Sequence, residues 1–335
     1  MADRQQLRDA FLAAQGWKGA RIATLAGDAS FRRYFRLVNG PARAVLMDAP
    51  PPQEDVGPYV AIARQLTALD LSAPEIYGED AGHGFLLIED FGDDTYTRVL
   101  DRGGEERELY ELATDTLLAL HAHPAHRAVP PGAPDYRSER MLDTAQLLIE
   151  WFYPATMGQA APAELVEEFR AILAKPLAWL DAGAQTLVLR DYHVDNLMLL
   201  PDRPGVQACG LLDFQDGARG SIAYDLVSLL EDARRDIALP LRQAMLDHYI
   251  ERSGVDRRDF LAACAIAGAQ RHSRIVGQFV RLQRRDNKPA YLRHVLRVWA
   301  LLERALRHDM LAEMRQFLDR TLPGEKRTLP QAMPA

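Results

Sequence analysis

The stretch Leu189-Arg190-Asp191-Tyr192-His193-Val194-Asp195-Asn196, continued by Leu211-Leu212-Asp213-Phe214, sets an asparagine five residues after one aspartate and a second aspartate beyond a short apolar run. Leu187-Val188-Leu189, Leu197 to Leu200 and Cys209 to Phe214 read as short strands framing this polar loop. Phosphoryl transfer needs such a set. One carboxylate must orient the attacking hydroxyl and accept its proton, while an amide oxygen and another carboxylate hold the magnesium ions that neutralise a triphosphate. Asp191 is the candidate base, and Asn196 and Asp213 are the candidate metal ligands, oxygen donors that suit hard magnesium better than zinc. An isolated aspartate would read as a turn or helix cap; it is the coincidence of the three that raises Asp191 above that reading.

Within the same loop, His193 and Asp195 can contact substrate hydroxyls or brace the loop through hydrogen bonds, and both readings stand. Asp225, in Ala223-Tyr224-Asp225-Leu226, opens a helix. A buried carboxylate there can accept backbone N–H groups from the catalytic loop and so hold Asp191 in place.

Working outward, the first ninety residues read as strands around one helix. Tyr34 to Val38 and Ala44 to Met47 are apolar runs broken by Asn39-Gly40-Pro41 and Pro50-Pro51-Pro52. Ile62, Ala63, Leu66 and Leu69 recur at helical spacing. Pro74 to Tyr77 and Phe85 to Ile88 complete a five-stranded antiparallel sheet. From Asp94 the pattern turns helical, most clearly in the stripe Leu109, Leu112, Ala113, Thr116, Leu117 and Leu120. The expected fold is α+β and bilobal, in the manner of a protein kinase: residues 1–89 as a nucleotide-binding lobe, and residues 90–335 as a larger, mainly helical catalytic and substrate lobe.

In the small lobe, Gly27-Asp28-Ala29-Ser30-Phe31-Arg32-Arg33-Tyr34 reads as strand-turn-strand, where Gly27 and the small residues Ala29 and Ser30, with Phe31, let backbone N–H groups approach phosphate oxygens. Any hairpin could look like this. Arg32 and Arg33 point to opposite faces of an extended chain, so at most one faces a nucleotide. The run Phe85 to Ile88 ends in Glu89-Asp90-Phe91-Gly92, the connection between lobes, where the carbonyl near Glu89 and the N–H near Phe91 can meet an adenine edge.

Composition narrows the class. A chain of 335 residues with 48% hydrophobic and 26% charged residues is ordinary for a soluble protein with two cores. The net charge of −7 argues against a nucleic-acid partner. Cys209 and Cys264 lack metal or redox spacing and read as reduced core residues, which fits the cytoplasm. The N-terminus has no leader pattern, and no apolar run reaches the roughly 18 residues of a membrane span. His121, His123 and His126 fit no common zinc site, with Pro124 between them.

On the helix expected from Cys264 to Arg285, Arg271, Arg274, Gln278, Arg281 and Arg285 fall within about 80° on a helical wheel. Such a stripe is usually a solvated face; alternatively Arg271 and Arg274 reach the acceptor site and bind an acidic group. Trp151 could stack on a sugar ring or simply pack, as could Tyr153.

The catalytic loop, Leu211-Leu212-Asp213-Phe214 and Ala223-Tyr224-Asp225-Leu226 together resemble the aminoglycoside phosphotransferase family of small-molecule kinases, over nearly the whole chain. More narrowly, Gly27 to Arg36, Met47-Asp48-Ala49-Pro50-Pro51 and Arg281 to Lys288 with Tyr291-Leu292 are similar to the branch that acts on amino sugars of the bacterial cell wall. That resemblance implies ATP- and magnesium-dependent phosphorylation of the anomeric hydroxyl of N-acetylmuramate or N-acetylglucosamine. It implies a sugar 1-phosphate product and a uridylyltransferase as pathway partner in peptidoglycan recycling.

The chain departs from the wider kinase pattern at three places. The strand Ala44-Val45-Leu46-Met47 ends in methionine where a phosphate-pairing lysine is expected, so neither Glu54 nor Asp55 is needed as that lysine's partner. Leu189 stands for the loop histidine, and Gln215 follows Phe214 where glycine is expected. With the narrower resemblance, the missing lysine implies an altered triphosphate grip through Arg32 or Arg33. Without it, a nucleotide-binding pseudokinase or a kinase for another acceptor, an aminoglycoside or a choline-like amine, remains open.

Overall fold

The computed structural model describes residues 4–25 and 31–330. Five strands, β1 Arg21–Thr24, β2 Arg33–Asn39, β3 Ala42–Asp48, β4 Ile76–Asp80 and β5 Phe85–Ile88, form one sheet in the order β1-β2-β3-β5-β4 with every neighbouring pair antiparallel. Four shorter strands, β6 Gln185–Val188, β7 Leu197–Leu199, β8 Cys209–Leu211 and β9 Ala218–Ser221, pair as β6 with β9 and β7 with β8. The helices are α1 Arg4–Ala14, α2 Gly57–Ala68, α3 Tyr96–Asp101, α4 Glu106–His121, α5 Ala125–Ala128, α6 Ser138–Ala145 and α7 Tyr153–Met157. They continue with α8 Ala163–Ala182, α9 Ala223–Leu230, α10 Leu239–Ser253, α11 Arg257–Asp286, α12 Val295–Ala305 and α13 Ala312–Thr321.

These elements gather into two compact units. The first comprises Met1–Thr116, His126–Ala133 and Val194–Gly217; the second comprises Leu117–Ala125, Pro134–His193 and Ala218–Ala335. The first therefore takes in β7 and β8 as well as the sheet. Their attachment is backbone: the Leu211 N–H donates to the Ser72 carbonyl at 2.7 Å, and Leu199 to that of Asp94 at 2.8 Å.

In the first unit the β2–β3 hairpin turns on two residues, Gly40 and Pro41, since Asn39 pairs with Ala42. Gly40 has φ +59°, and proline holds φ negative, the combination a tight II′ turn requires. Strand alternation then sorts β2 by face. Phe35 and Leu37 join a core of Ala44, Leu46, Phe85 and Leu87. Onto that core α1 lays Leu7, Phe11 and Leu12, with the Phe11 and Phe85 rings stacked at 5.7 Å. The sequence leads one to expect a single helix in this region; α1 is a second, carried by an apolar stripe of only three residues. At the β4–β5 hairpin Gly84 has φ +71°, and a Cβ there would come within 1.9 Å of the Ala49 carbonyl oxygen, so only glycine lets β5 follow β3 in this way.

In the second unit α11 packs against α6, α9, α12 and a π-type turn at Leu148–Phe152. It is longer than its apolar pattern, because Asp256 caps it, its side chain accepting from the Asp259 N–H at 2.9 Å. Asn287 ends it in the left-handed conformation at φ +50°. Gly277 allows the close crossing: a Cβ there would lie 2.1 Å from the Leu147 carbonyl carbon. Cys209 and Cys264 are both buried. Among the described residues no helix is long and apolar enough to cross a membrane.

Candidate active site

In the first unit the β7–β8 ladder pairs Leu197 with Leu211, and the Leu212 N–H donates to the Asn196 carbonyl at 3.0 Å. The register brings two polar side chains out side by side. Asn196 Nδ2 lies 3.3 Å from Asp213 Oδ2, and Gln215 Nε2 donates to Asp213 Oδ1 at 2.7 Å, which gives the residue in the glycine position a structural use. Asp213 itself has φ +56°, a conformation rare outside glycine, so the local backbone stores strain to aim this carboxylate.

Both residues line a cavity of about 290 Å³ that also takes in Glu89 and Phe91. Val45, Ile88 and Met198 give it apolar walls, and Asn196 with Asp213 a polar end. That division suits a planar ring joined to a charged tail. One carboxylate and one amide oxygen are hard donors that fit magnesium. Among the described residues no group of three or more His, Cys, Asp or Glu gathers to hold a metal. A cation at this pair would therefore complete its shell with water and phosphate oxygens, as magnesium does in phosphoryl-transfer sites. Glu89 is tied down by Arg203, whose guanidinium lies 5.0 Å over the Phe91 ring and donates to Ser72 Oγ at 2.9 Å.

Gly27, Ala29 and Ser30 lie outside the described residues. Of their neighbours, Phe31 is exposed, and its N–H donates to Glu54 Oε1 at 3.1 Å. Arg32 Nε lies 3.5 Å from Glu54 Oε2. Arg33 pairs instead with Asp48 at 2.9 Å, sharing that carboxylate with Arg4. None of Phe31, Arg32 and Arg33 lines the cavity, whereas Tyr34 and Arg36 do. Arg36 Nε lies 2.7 Å from Asp90 Oδ2 and its Nη1 2.9 Å from Asp93 Oδ2, so its charge is neutralised where β2 meets the segment after β5. Met47 pairs with Tyr34 in the ladder and is buried. Asp195 accepts from Thr97 Oγ1, a contact that braces its loop.

In the second unit β6 leads into the catalytic loop and β9 into α9. Asp225 on α9 accepts from the Leu189 N–H at 2.6 Å and the Arg190 N–H at 2.9 Å. Ser228 Oγ donates to the Arg190 carbonyl at 3.3 Å. Arg190 is thereby held at φ +70°, immediately before Asp191. The Asp191 side chain keeps 35% of its surface open, so its carboxylate can be reached.

Arg271 and Arg274 are buried, at 2% and 8% exposure. The solvated-face reading therefore fails for this half of the stripe; Arg285 alone of the five is exposed. Arg274 Nη2 stands 3.9 Å from Asp191 Oδ1. Arg271 Nη1 lies 3.4 Å from the Glu231 carbonyl, and Glu231 meets His272 Nε2 at 2.6 Å and Arg242 Nη2 at 2.5 Å. The Tyr136 and Tyr224 hydroxyls are 3.3 Å apart, and the Arg190 guanidinium lies 4.8 Å over the Tyr136 ring.

The charges follow from this packing. Burial pushes the Asp191 carboxyl up, but Arg274, His193, Arg190 and Arg271 outweigh it and hold the group below its ordinary range. Burial raises Asp225 to about 7, against the two backbone N–H bonds and with repulsion from Asp191. Burial raises Glu231 too, yet His272 and Arg242 bring it down to about 2. Asp191 is thus an ionised acceptor surrounded by cations.

His193 is 5% exposed, and its Nε2 lies 3.3 Å from Arg234 Nη1. Trp151, in the π-type turn, is half-buried, and Tyr153 is buried. The sequence reading passed over Tyr59, Tyr136, Tyr224 and Arg234. Tyr59, buried on α2, lines the cavity and packs its ring 4.8 Å from that of Phe214, tilted by 30°. Tyr224 stands inside the quoted Ala223-Tyr224-Asp225-Leu226 and was open to inference; Tyr136 and Arg234 lie in irregular segments with no local pattern to mark them.

Comparison with known proteins bears on the family and the fold. The chain is 35% identical to the N-acetylmuramate/N-acetylglucosamine kinase of Caulobacter vibrioides over 97% of this chain and 99% of that protein. In fold it is similar to a choline/ethanolamine kinase family protein from Mesorhizobium loti, with a TM-score of 0.63, 14% identity, and coverage of 95% of this chain and 100% of that one. It is similar also to the streptomycin-ATP-APH(2")-IIa ternary complex, with a TM-score of 0.58, 15% identity, and coverage of 93% and 99%. A model of the phosphotransferase enzyme family matches residues 21–264, and the chain belongs to that family, APH.

Proposed function

We propose that this phosphotransferase uses ATP and magnesium to phosphorylate the anomeric hydroxyl of N-acetylmuramate and N-acetylglucosamine, releasing a sugar 1-phosphate. The observation that carries the reading is the state of Asp191: ionised, reachable and ringed by Arg274, His193, Arg190 and Arg271. Such a carboxylate is a weak base. Proton acceptance is most efficient when base and acid are matched, and a hemiacetal hydroxyl is more acidic than an ordinary alcohol because the ring oxygen withdraws electrons. The name of the Caulobacter vibrioides relative supports the same acceptor. A polycationic aminoglycoside would meet the like charges of Arg274, Arg190 and Arg271 around Asp191, which counts against that acceptor.

Asp191 orients the hydroxyl and takes its proton; Asp225, through the Leu189 and Arg190 N–H groups, keeps the loop in the conformation that presents it. Asn196 and Asp213 hold magnesium, which when bound neutralises triphosphate charge. Residues 1–89 serve as the nucleotide lobe, with Gly27, Ala29, Ser30 and Phe31 along the phosphates and Glu89 and Phe91 at the base. Residues 90–335 form the catalytic and substrate lobe. Arg32 is the triphosphate cation in place of a lysine at Met47; Arg33 faces away and is spent on Asp48. The product is of the class a uridylyltransferase consumes, which fits a cytoplasmic place in peptidoglycan recycling.

The test is ATP consumption with magnesium across N-acetylmuramate, N-acetylglucosamine, glucose and an aminoglycoside, with phosphorus NMR locating the phosphate. A 1-phosphate of an N-acetylated sugar is expected, and transfer only to another acceptor would overturn the substrate. Asp191→Asn should lower kcat by about two to four orders of magnitude; near-normal turnover would remove Asp191 from the role.

A further inference from the structure

We propose that Arg234, in the segment between α9 and α10, is the residue that recognises a carboxylate on the acceptor and so separates N-acetylmuramate from N-acetylglucosamine; this rests on the function proposed above. The case begins by eliminating the other arginines near the catalytic loop. Arg274 lies against Asp191, and Arg271 is buried with Nη1 toward the Glu231 carbonyl. Arg190 is stacked on Tyr136, Arg242 is paired with Glu231, and Arg297 is paired with Asp236. Each already serves another group.

Arg234 differs in two respects. It is exposed, and among the described residues its guanidinium forms no ion pair with a carboxylate. It is also anchored beside the chemistry. Its backbone N–H donates to Asp232 Oδ1 at 2.7 Å, fixing the turn, and its Nη1 lies 3.3 Å from Nε2 of His193, two residues beyond Asp191. Because an arginine can only donate, His193 meets Arg234 through the lone pair of Nε2 in the tautomer that carries its proton on Nδ1. His193 engages one of five N–H groups, and the others remain for the two-bond grip that a carboxylate accepts. Lysine, a point charge, would give only part of that grip.

The lactyl carboxylate is the group that N-acetylmuramate has and N-acetylglucosamine lacks, so the signature is a difference between the two sugars. The experiment is steady-state kinetics of the full chain and of the Arg234→Ala and Arg234→Lys variants on both sugars at saturating ATP. Loss of one charged hydrogen-bonding partner corresponds to roughly 10- to 100-fold in affinity. Arg234→Ala should therefore lower kcat/KM for N-acetylmuramate by about that factor, mainly through KM, leave N-acetylglucosamine within about twofold, and be partly rescued in Arg234→Lys. An equal loss on both sugars, or none on N-acetylmuramate, overturns the assignment and leaves the kinase reading intact. No turnover of either sugar by the unaltered chain overturns that reading and the assignment with it.

Discussion

Arg32 and Arg33 are neighbours in sequence and opposites in the fold. Period-two alternation sends Arg33 to the face where Asp48 and Arg4 meet it, and Arg32 to the face of Tyr34 and Arg36, which line the cavity. Tyr59, which lines that cavity, feels the charges of both Arg32 and Asp213, as expected of an arginine on the cavity's side of the chain. Arg32→Ala should raise KM for ATP by about tenfold or more while leaving adenosine binding nearly unchanged, and Arg33→Ala should do neither. Nucleotide titration of the two variants checks this, and equal effects would return the assignment to an open choice. This alternation was readable from the sequence, as were Asp191, Asn196, Asp213 and Asp225, because short motifs fix their local surroundings. The burial of Arg271 and Arg274 was not. A helical wheel gives their common direction, but what they face depends on Asp191, Tyr136, Tyr224 and Glu231, which are brought there by three other segments.

Elements were legible where the residues themselves favour the element and hidden where pairing or caps decide it. In the main sheet β2, β3 and β5 announce themselves by apolar runs between Gly and Pro signals, whereas β1, the exposed Arg-Ile-Ala-Thr, shows no such run and exists by pairing with β2. β9, Ala-Arg-Gly-Ser, has no β-branched residue and exists because β6 supplies its partner, with Gln185 opposite Ser221 and Val188 opposite Ala218. The first turn of α11 is charged, and only Asp256 marks its start. Inside that helix Gly277 is set by packing: its missing Cβ is the space that the Leu147–Leu148 backbone occupies. Backbone at 2.1 Å cannot yield as a flexible side chain would. Gly277→Ala should therefore lower unfolding free energy by about 3 kcal/mol, at the upper end of overpacking costs, although alanine is the better helix former by about 1 kcal/mol. Chemical denaturation checks the sign, and a stabilised variant would show that the crossing relaxes.

At the scale of the whole molecule the buried groups set opposing responses to pH. His121, pushed down to about 3 by burial, binds no proton in the folded chain where the unfolded chain binds one, so its contribution makes stability rise with pH up to about 6.5. Asp225 works the other way. Raised to about 7, it stays protonated in the folded chain where the unfolded carboxyl, near 3.8, has released its proton, so its contribution makes stability fall as pH climbs from about 4 to 7. One proton of difference is about 1.4 kcal/mol per pH unit, and the two slopes largely cancel between pH 4 and 6.5. Asp191 and Glu231, both lowered, add stability that is lost only as pH falls below about 4.5. His272 and His294, both lowered by burial, add to the rise, so the chain's denaturation midpoint should climb gently from pH 4.5 to 6.5 and fall steeply below it. Asp225→Asn removes one of the opposing slopes. Whatever that variant loses in overall stability by disturbing the Leu189 and Arg190 bonds, its midpoint should climb more steeply with pH across the same window than that of the unaltered chain. Urea midpoints at pH 4.5, 5.5 and 6.5 for the two proteins decide it. Parallel profiles would mean that Asp225 is ionised throughout, its charge carried by the two backbone N–H groups and by Arg271 despite its burial.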